Sequence, residues 1–111
     1  MKIAISSTGK DLDSKIDPKF GRCPYYIIVE TDDMSFEALD NESVALELGA
    51  GVQSVQVLVS KGVKAVVTST CGPNAERALS AANVRVLVGQ TGTVQDAIER
   101  FKKEYPRWDA T

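Results

Sequence analysis

From Gly49 to Phe101 the sequence alternates between helical and strand patterns, and this alternation limits the fold more than any other feature. Val52, Val55, Gln56 and Val59 recur at helical spacing and stop at Lys61-Gly62, a basic residue followed by a helix-ending glycine. Lys64 to Thr68 is rich in β-branched residues and reads as a strand. Pro73 to Ala82 reads as a helix, with Pro73 in the first turn, where its missing N–H costs nothing. Asn83 suits the left-handed residue that follows a helix, and Val84 to Val88 is a further strand. Thr93 caps a last helix bearing Val94, Ala97, Ile98 and Phe101, and Asp96 makes a capping box with it. Each strand–helix–strand crossover takes about twenty residues, which calls for parallel strands joined in the right-handed sense.

The first half is built differently. Lys2 to Ile5 is a short buried strand, followed by a polar loop from Ser6 to Pro18. Asp11, Asp13 and Asp17 lack the spacing and the central glycine of a calcium loop, so they read as solvated turn residues. Tyr25 to Glu30 is a strand with Pro24 at its start, Asp32-Asp33 marks a turn, and Ser35 to Leu39 alternates with period two. This hairpin supplies the antiparallel edge. The reading is a β-β-β-α-β-α-β-α chain, an α/β fold whose five-stranded mixed sheet has the order 3-2-1-4-5. The domain spans residues 1–102. A tail, 103–111, carries Tyr105, Pro106 and Trp108, and a packed lid and a frayed end are both open for it.

A chain of 111 residues is one domain with a closed core. Thirteen basic residues stand against fifteen acidic ones, and no basic run occurs, which argues against a phosphate-tracking nucleic-acid surface. No apolar run reaches the ~18 residues that span a bilayer, and no export signal is recognisable, so the expectation is a cytoplasmic protein without a membrane partner. In that setting Cys23 and Cys71 read as free thiols or ligands, and the Asn41-Glu42-Ser43 sequon carries no weight. There is no histidine. The commonest metal ligand and the commonest general base are therefore missing, and Ser–His or Cys–His nucleophile pairs are excluded.

In the proposed sheet the carboxyl ends of the first, fourth and fifth strands share one edge. Ser6, Ser7 and Thr8 meet Thr68 to Pro73 and Gly89 to Thr93 there, and Gly49 and Gly51 bring the first helix to the same side. The groups gathered are backbone N–H donors near Gly49, Gly51, Gly72 and Gly92, the side chains of Ser6, Ser7, Ser69, Thr70, Asn74 and Thr93, and Arg22. No acid–base pair accompanies them. Such a set suits an anion rather than bond-making chemistry. Gly49-Ala50-Gly51 is not a full dinucleotide fingerprint, and no Gly-Lys-Ser/Thr phosphate loop is present. Cys71 has two readings: a small buried hydrophobe, or a thiolate favoured by the helix N-terminus beside it. Arg22 reads either as a site cation or as the partner of an acid.

Phe20-Gly21-Arg22, Gly49-Ala50-Gly51, Lys61-Gly62-Val63, Cys71-Gly72-Pro73-Asn74-Ala75 and Gly92-Thr93-Val94, in this order, resemble the dinitrogenase iron–molybdenum cofactor biosynthesis (nitrogenase accessory factor) family. The resemblance implies a ribonuclease-H-like three-layer fold and a non-enzymatic carrier of an iron–sulfur or molybdenum–sulfur cluster. It extends to the small orange proteins, which hold a molybdenum–copper sulfide cluster. Cys23 and Cys71 would then be its metal ligands, since soft thiolates suit copper(I) or iron–sulfur centres. Cys71 is expected to be the more reactive thiol and Cys23 to lie in a more mobile loop. Both sulfurs would face one cluster, with Arg22 and Lys19 offsetting its charge. Two thiolates do not complete a four-ligand site, so the cluster would bring its own sulfides, or a dimer would add ligands. The competing reading is an interaction module without metal that docks through its sheet edge or tail. The exposed edge at 35–39 permits a monomer or a weak dimer, and a protein partner for delivery fits the carrier reading.

Overall fold

The computed structural model describes residues 1–42 and 49–105. Residues 43–48, with Ser43 of the sequon, and 106–111, with Pro106 and Trp108, lie outside the described residues. The elements are β1 (Lys2–Ser7), β2 (Tyr25–Glu30), β3 (Phe36–Asp40), α1 (Ala50–Ser60), β4 (Val63–Val67), α2 (Pro73–Ala81), β5 (Arg85–Leu87) and α3 (Val94–Glu104). The order of elements is the expected one. β1 reaches two residues further than its apolar run, because Ser6 and Ser7 pair with Tyr26 and Tyr25. α3 runs to Glu104, past residue 102, and the Tyr105 ring packs 5.3 Å from that of Phe101.

The sheet has the order β3-β2-β1-β4-β5. β2 is antiparallel to β1 and β3, while β4 is parallel to β1 and β5. Side chains alternate across it and fill two cores. Ala4, Tyr26, Ile28 and Val66 face one way, against Val55 and Leu58 of α1 and Ala75 and Leu79 of α2. Ile3, Ile5, Ile27, Val29, Ala65 and Val67 face the other way, against Val94, Ala97, Ile98 and Phe101 of α3. Burial on both faces explains why β1, β2 and β4 read as unbroken apolar runs. Each fully buried Ile or Leu contributes roughly 1.5–3 kcal/mol. β3 covers less and stays mostly exposed, as an edge strand does, with Phe36 45% exposed.

Two helix ends bear out their sequence signals. Asn83 is left-handed at φ 60° behind α2. Thr93 and Asp96 form both halves of the capping box: the Asp96 N–H donates to the Thr93 hydroxyl at 3.1 Å, and the Thr93 N–H donates to the Asp96 carboxylate at 3.0 Å. β3 runs in the same direction as β1, so Asp40 ends beside Tyr25 and Ser7. All three helices therefore start from one sheet edge.

Candidate functional site at the sheet edge

The loop between β1 and β2 decides which of the three helix N-termini stay open. The Val94 N–H donates to Ser14 O at 2.8 Å, the Gln95 N–H to Leu12 O at 2.9 Å, and the Ile16 N–H to Gly92 O at 2.9 Å. With the capping box added, the first turn of α3 has its donors taken by the protein itself. Other residues named from the sequence support this loop. The buried Ser6 hydroxyl lies 2.8 Å from both Asp17 O and Thr68 Oγ1, and the buried Ser7 hydroxyl donates to Gly9 O at 2.7 Å. Thr70 donates to Pro18 O through both its N–H (2.8 Å) and its hydroxyl (2.7 Å). Ser6, Ser7, Thr70, Gly92 and Thr93 thus have internal partners, and the open part of the edge lies on the other face, with α1 and α2.

Neither α1 nor α2 has a side-chain cap. Among the described residues nothing accepts from the N–H groups of Ala50, Gly51 and Val52, or from those of Asn74 and Ala75. The Asn74 carboxamide oxygen accepts from Arg77 at 2.6 Å instead of capping its own helix. The two first turns touch: a Cβ on Gly51 would sit 3.0 Å from Ala75 Cβ. The turn at Gly21 closes on the first of them. Gly21 has φ +90°, and a Cβ there would meet Gly51 Cα at 2.8 Å and Gly51 N at 2.9 Å. Exposed Arg22 follows directly, and half-buried Ser69 and exposed Gly72 flank the α2 side. Each helix N-terminus carries about +0.5 of a charge, and on α2 the Glu76 carboxylate in the first turn offsets it. The structure therefore brings Gly21, Arg22, Gly49, Gly51, Gly72 and Asn74 to one surface.

The thiols differ from expectation. Cys23 is packed in the core at 0% exposure rather than held in a mobile loop, and half-buried Cys71 lies against the same apolar cluster. Burial pushes the Cys23 thiol up to about 11. Burial, and then the Glu76 carboxylate in the first turn of α2, push Cys71 up to about 11 as well. The lowering expected from the helix N-terminus is outweighed, and both are neutral thiols at pH 7. Among the described residues no group of three or more Cys, Asp or Glu side chains stands ready for a metal ion.

Three buried polar residues behind this surface, Asn41, Ser54 and Tyr26, were not singled out from the sequence as site residues. The Asn41 carboxamide donates to Gly21 O at 3.0 Å and to Cys23 O at 2.8 Å, and accepts from the Ser54 hydroxyl at 3.3 Å. The Tyr26 hydroxyl accepts from the Gly21 N–H at 2.9 Å, and burial pushes that phenol above its ordinary range. A tyrosine at an inward position of an apolar strand is a weak hint, since its hydroxyl needs a partner. Asn41 had none to give: it sits in the sequon, yet its side chain is buried and bonded to the turn.

The profile described as dinitrogenase iron–molybdenum cofactor matches residues 1–104 of this chain. Among solved structures, the apo form of the orange protein from Desulfovibrio gigas is 36% identical, with 93% of this chain and 88% of that one covered and a TM-score of 0.89. A candidate NifB protein from Thermotoga is 42% identical over 92% of this chain and 87% of its own, with a TM-score of 0.81. An uncharacterised protein of Methanocaldococcus jannaschii is 24% identical over 105 residues, covering 91% of this chain and 89% of that protein. None of the described helices is long and apolar enough to cross a membrane.

Proposed function

The chain belongs to the dinitrogenase iron–molybdenum cofactor family, and from that membership we propose that it is a non-catalytic carrier of an anionic metal–sulfur cluster. The cargo would be of the molybdenum–copper sulfide or iron–sulfur type, held during assembly, storage or delivery. One observation carries the reading: the uncapped first turns of α1 and α2 touch at Gly51 and Ala75, beneath the Gly21-Arg22 turn. Uncapped N–H groups at two adjoining helix N-termini fit a preformed anion that hydrogen-bonds through its own sulfides. They do not fit a bare cation. The likeness to the orange protein, solved there as an apo form, supports the same class of cargo. Cys23 is fully buried and has no surface to offer the cargo, whereas half-buried Cys71 lies directly before the N-terminus of α2 beside the N–H donors.

The test is anaerobic loading with copper(I) plus tetrathiomolybdate, and separately with iron(II) plus sulfide, followed by desalting. The expected result is a coloured protein that retains metal and sulfide in fixed ratio from one of the two mixtures. Loss of all metal on desalting from both would overturn the proposal. The alternative, an interaction module, draws on the β3 edge with exposed Phe36, which also offers a place for a second copy or a delivery partner.

A further inference from the structure

We propose that Asn41 is a positioning residue for the anion surface, its buried carboxamide holding the Gly21–Cys23 turn against the first turn of α1. The inference rests on the carrier reading above and adds a residue that touches no cargo. Asn41 directly follows β3, with its side chain 6% exposed. Its N–H donates to Pro24 O at 2.9 Å, so the end of β3 is tied to the start of β2. Its Nδ2 group then donates to two carbonyls of the turn, Gly21 O and Cys23 O, while Oδ1 accepts from Ser54 of α1. One side chain thus joins the edge strand, the turn and the helix whose N-terminus forms the site. Tyr26 holds the turn from the opposite side through the Gly21 N–H.

Only a carboxamide supplies this pattern. A carboxylate has no hydrogens for the two carbonyls and would set a charge against them, and an aliphatic side chain would leave both carbonyls unpaired in a buried place. The clamp matters because the turn packs closely on α1. Gly21 adopts a positive φ that glycine allows, and the space where a Cβ would stand is taken by the Gly51 backbone, so the contact depends on the turn being held in place. Arg22 hangs from it. Releasing the turn would let the Gly21 backbone sample many positions beside the α1 N-terminus, and binding would then have to order it again.

The experiment compares wild type with Asn41→Asp and Tyr26→Phe, and uses exposed Gln53→Ala on α1 as control. Amide hydrogen exchange and tetrathiomolybdate affinity are read on each. The expected result for both variants is at least tenfold faster exchange at Gly21, unchanged protection in β1 and β4, and affinity weaker by about tenfold. The control should match wild type. Unchanged Gly21 exchange in the folded variants would overturn the clamp, and faster exchange with full affinity would overturn its positioning role. Should Asn41→Asp fail to fold, Ser54→Ala, which removes the hydroxyl that Asn41 Oδ1 accepts from and so unties the carboxamide from α1, decides both points. Failure of the wild type to bind tetrathiomolybdate would sink the carrier reading, while the exchange data still judge the clamp.

Discussion

Replacing Gly21 by alanine tests the close approach that builds the site. Two costs are separable in the structure. The residue sits at φ +90°, where an L side chain costs roughly 1–2 kcal/mol. The added methyl would also lie 2.8 Å from Gly51 Cα and 2.9 Å from Gly51 N. Both are backbone atoms, so relief requires moving the turn or α1, and overpacking of this kind costs roughly 1–3 kcal/mol. The sum, about 2–5 kcal/mol, is a large part of the ~5–15 kcal/mol that stabilises a domain. Gly49→Ala isolates the first cost. It shares the positive φ, at +79°, but its Cβ would meet nothing within 4 Å, so it should lose only roughly 1–2 kcal/mol. Gly51→Ala isolates the contact with Ala75 at 3.0 Å, against a helix-propensity gain of about 1 kcal/mol. It should come out near neutral. Urea unfolding of all three, with equal m-values, gives the comparison. Equal losses for Gly21→Ala and Gly49→Ala would refute the argument, because the close approach would then contribute nothing.

Thr93→Ala should lower stability by ~1 kcal/mol in a urea melt while leaving tetrathiomolybdate affinity unchanged, because the N-terminus of α3 is closed by the protein. Backbone and side-chain hydrogen bonds from Thr93 hold the Asp96 carboxyl below its ordinary range. A depressed carboxylate contributes stability that is present above its unfolded pKa, near 3.9, and lost as pH falls through the lower folded value. Asp96→Asn should therefore flatten the acid limb of stability below about pH 4, as read by thermal midpoints across pH. Both thiols are raised, so the folded state keeps protons that the unfolded state releases, and stability should decline above about pH 9 until the folded value near 11 is passed. In iodoacetamide labelling Cys71 should react first, at a rate still rising beyond pH 9, and Cys23 only on unfolding; a plateau below pH 8 for Cys71 would contradict this.

Much of this fold was legible because apolar residues repeat with unmistakable periods. Val55 falls on the buried face of α1 as its spacing implied, although Val59 turns out 41% exposed and Leu58 takes the inward place. The strand runs sort themselves into buried and edge positions. The shared sheet edge followed from parallel connections alone. Which N-termini stay open was not legible. That depends on the Val94–Ser14 and Gln95–Leu12 backbone bonds, formed across a loop whose side chains carry no trace of them. Cys71 did not show the expected lowering of its pKa, for a related reason. Its place beside a helix N-terminus is local and visible, whereas its packing against the core on the α1 and α2 side, with the charge of Glu76, belongs to the folded state. Asn41 shows the same limit, since a buried bridging amide and a solvated loop asparagine look alike in sequence.

The central claim is that the cargo sits on the paired N-termini of α1 and α2. Amide chemical shifts of the labelled protein during addition of tetrathiomolybdate with copper(I) test it most directly. The account predicts the largest changes at Ala50, Gly51, Val52, Asn74 and Ala75, with Gly21 and Arg22 following, and little change at Gly92 to Asp96. Changes concentrated at the start of α3 or along β3, with Ala50–Val52 and Asn74–Ala75 unmoved, would contradict it.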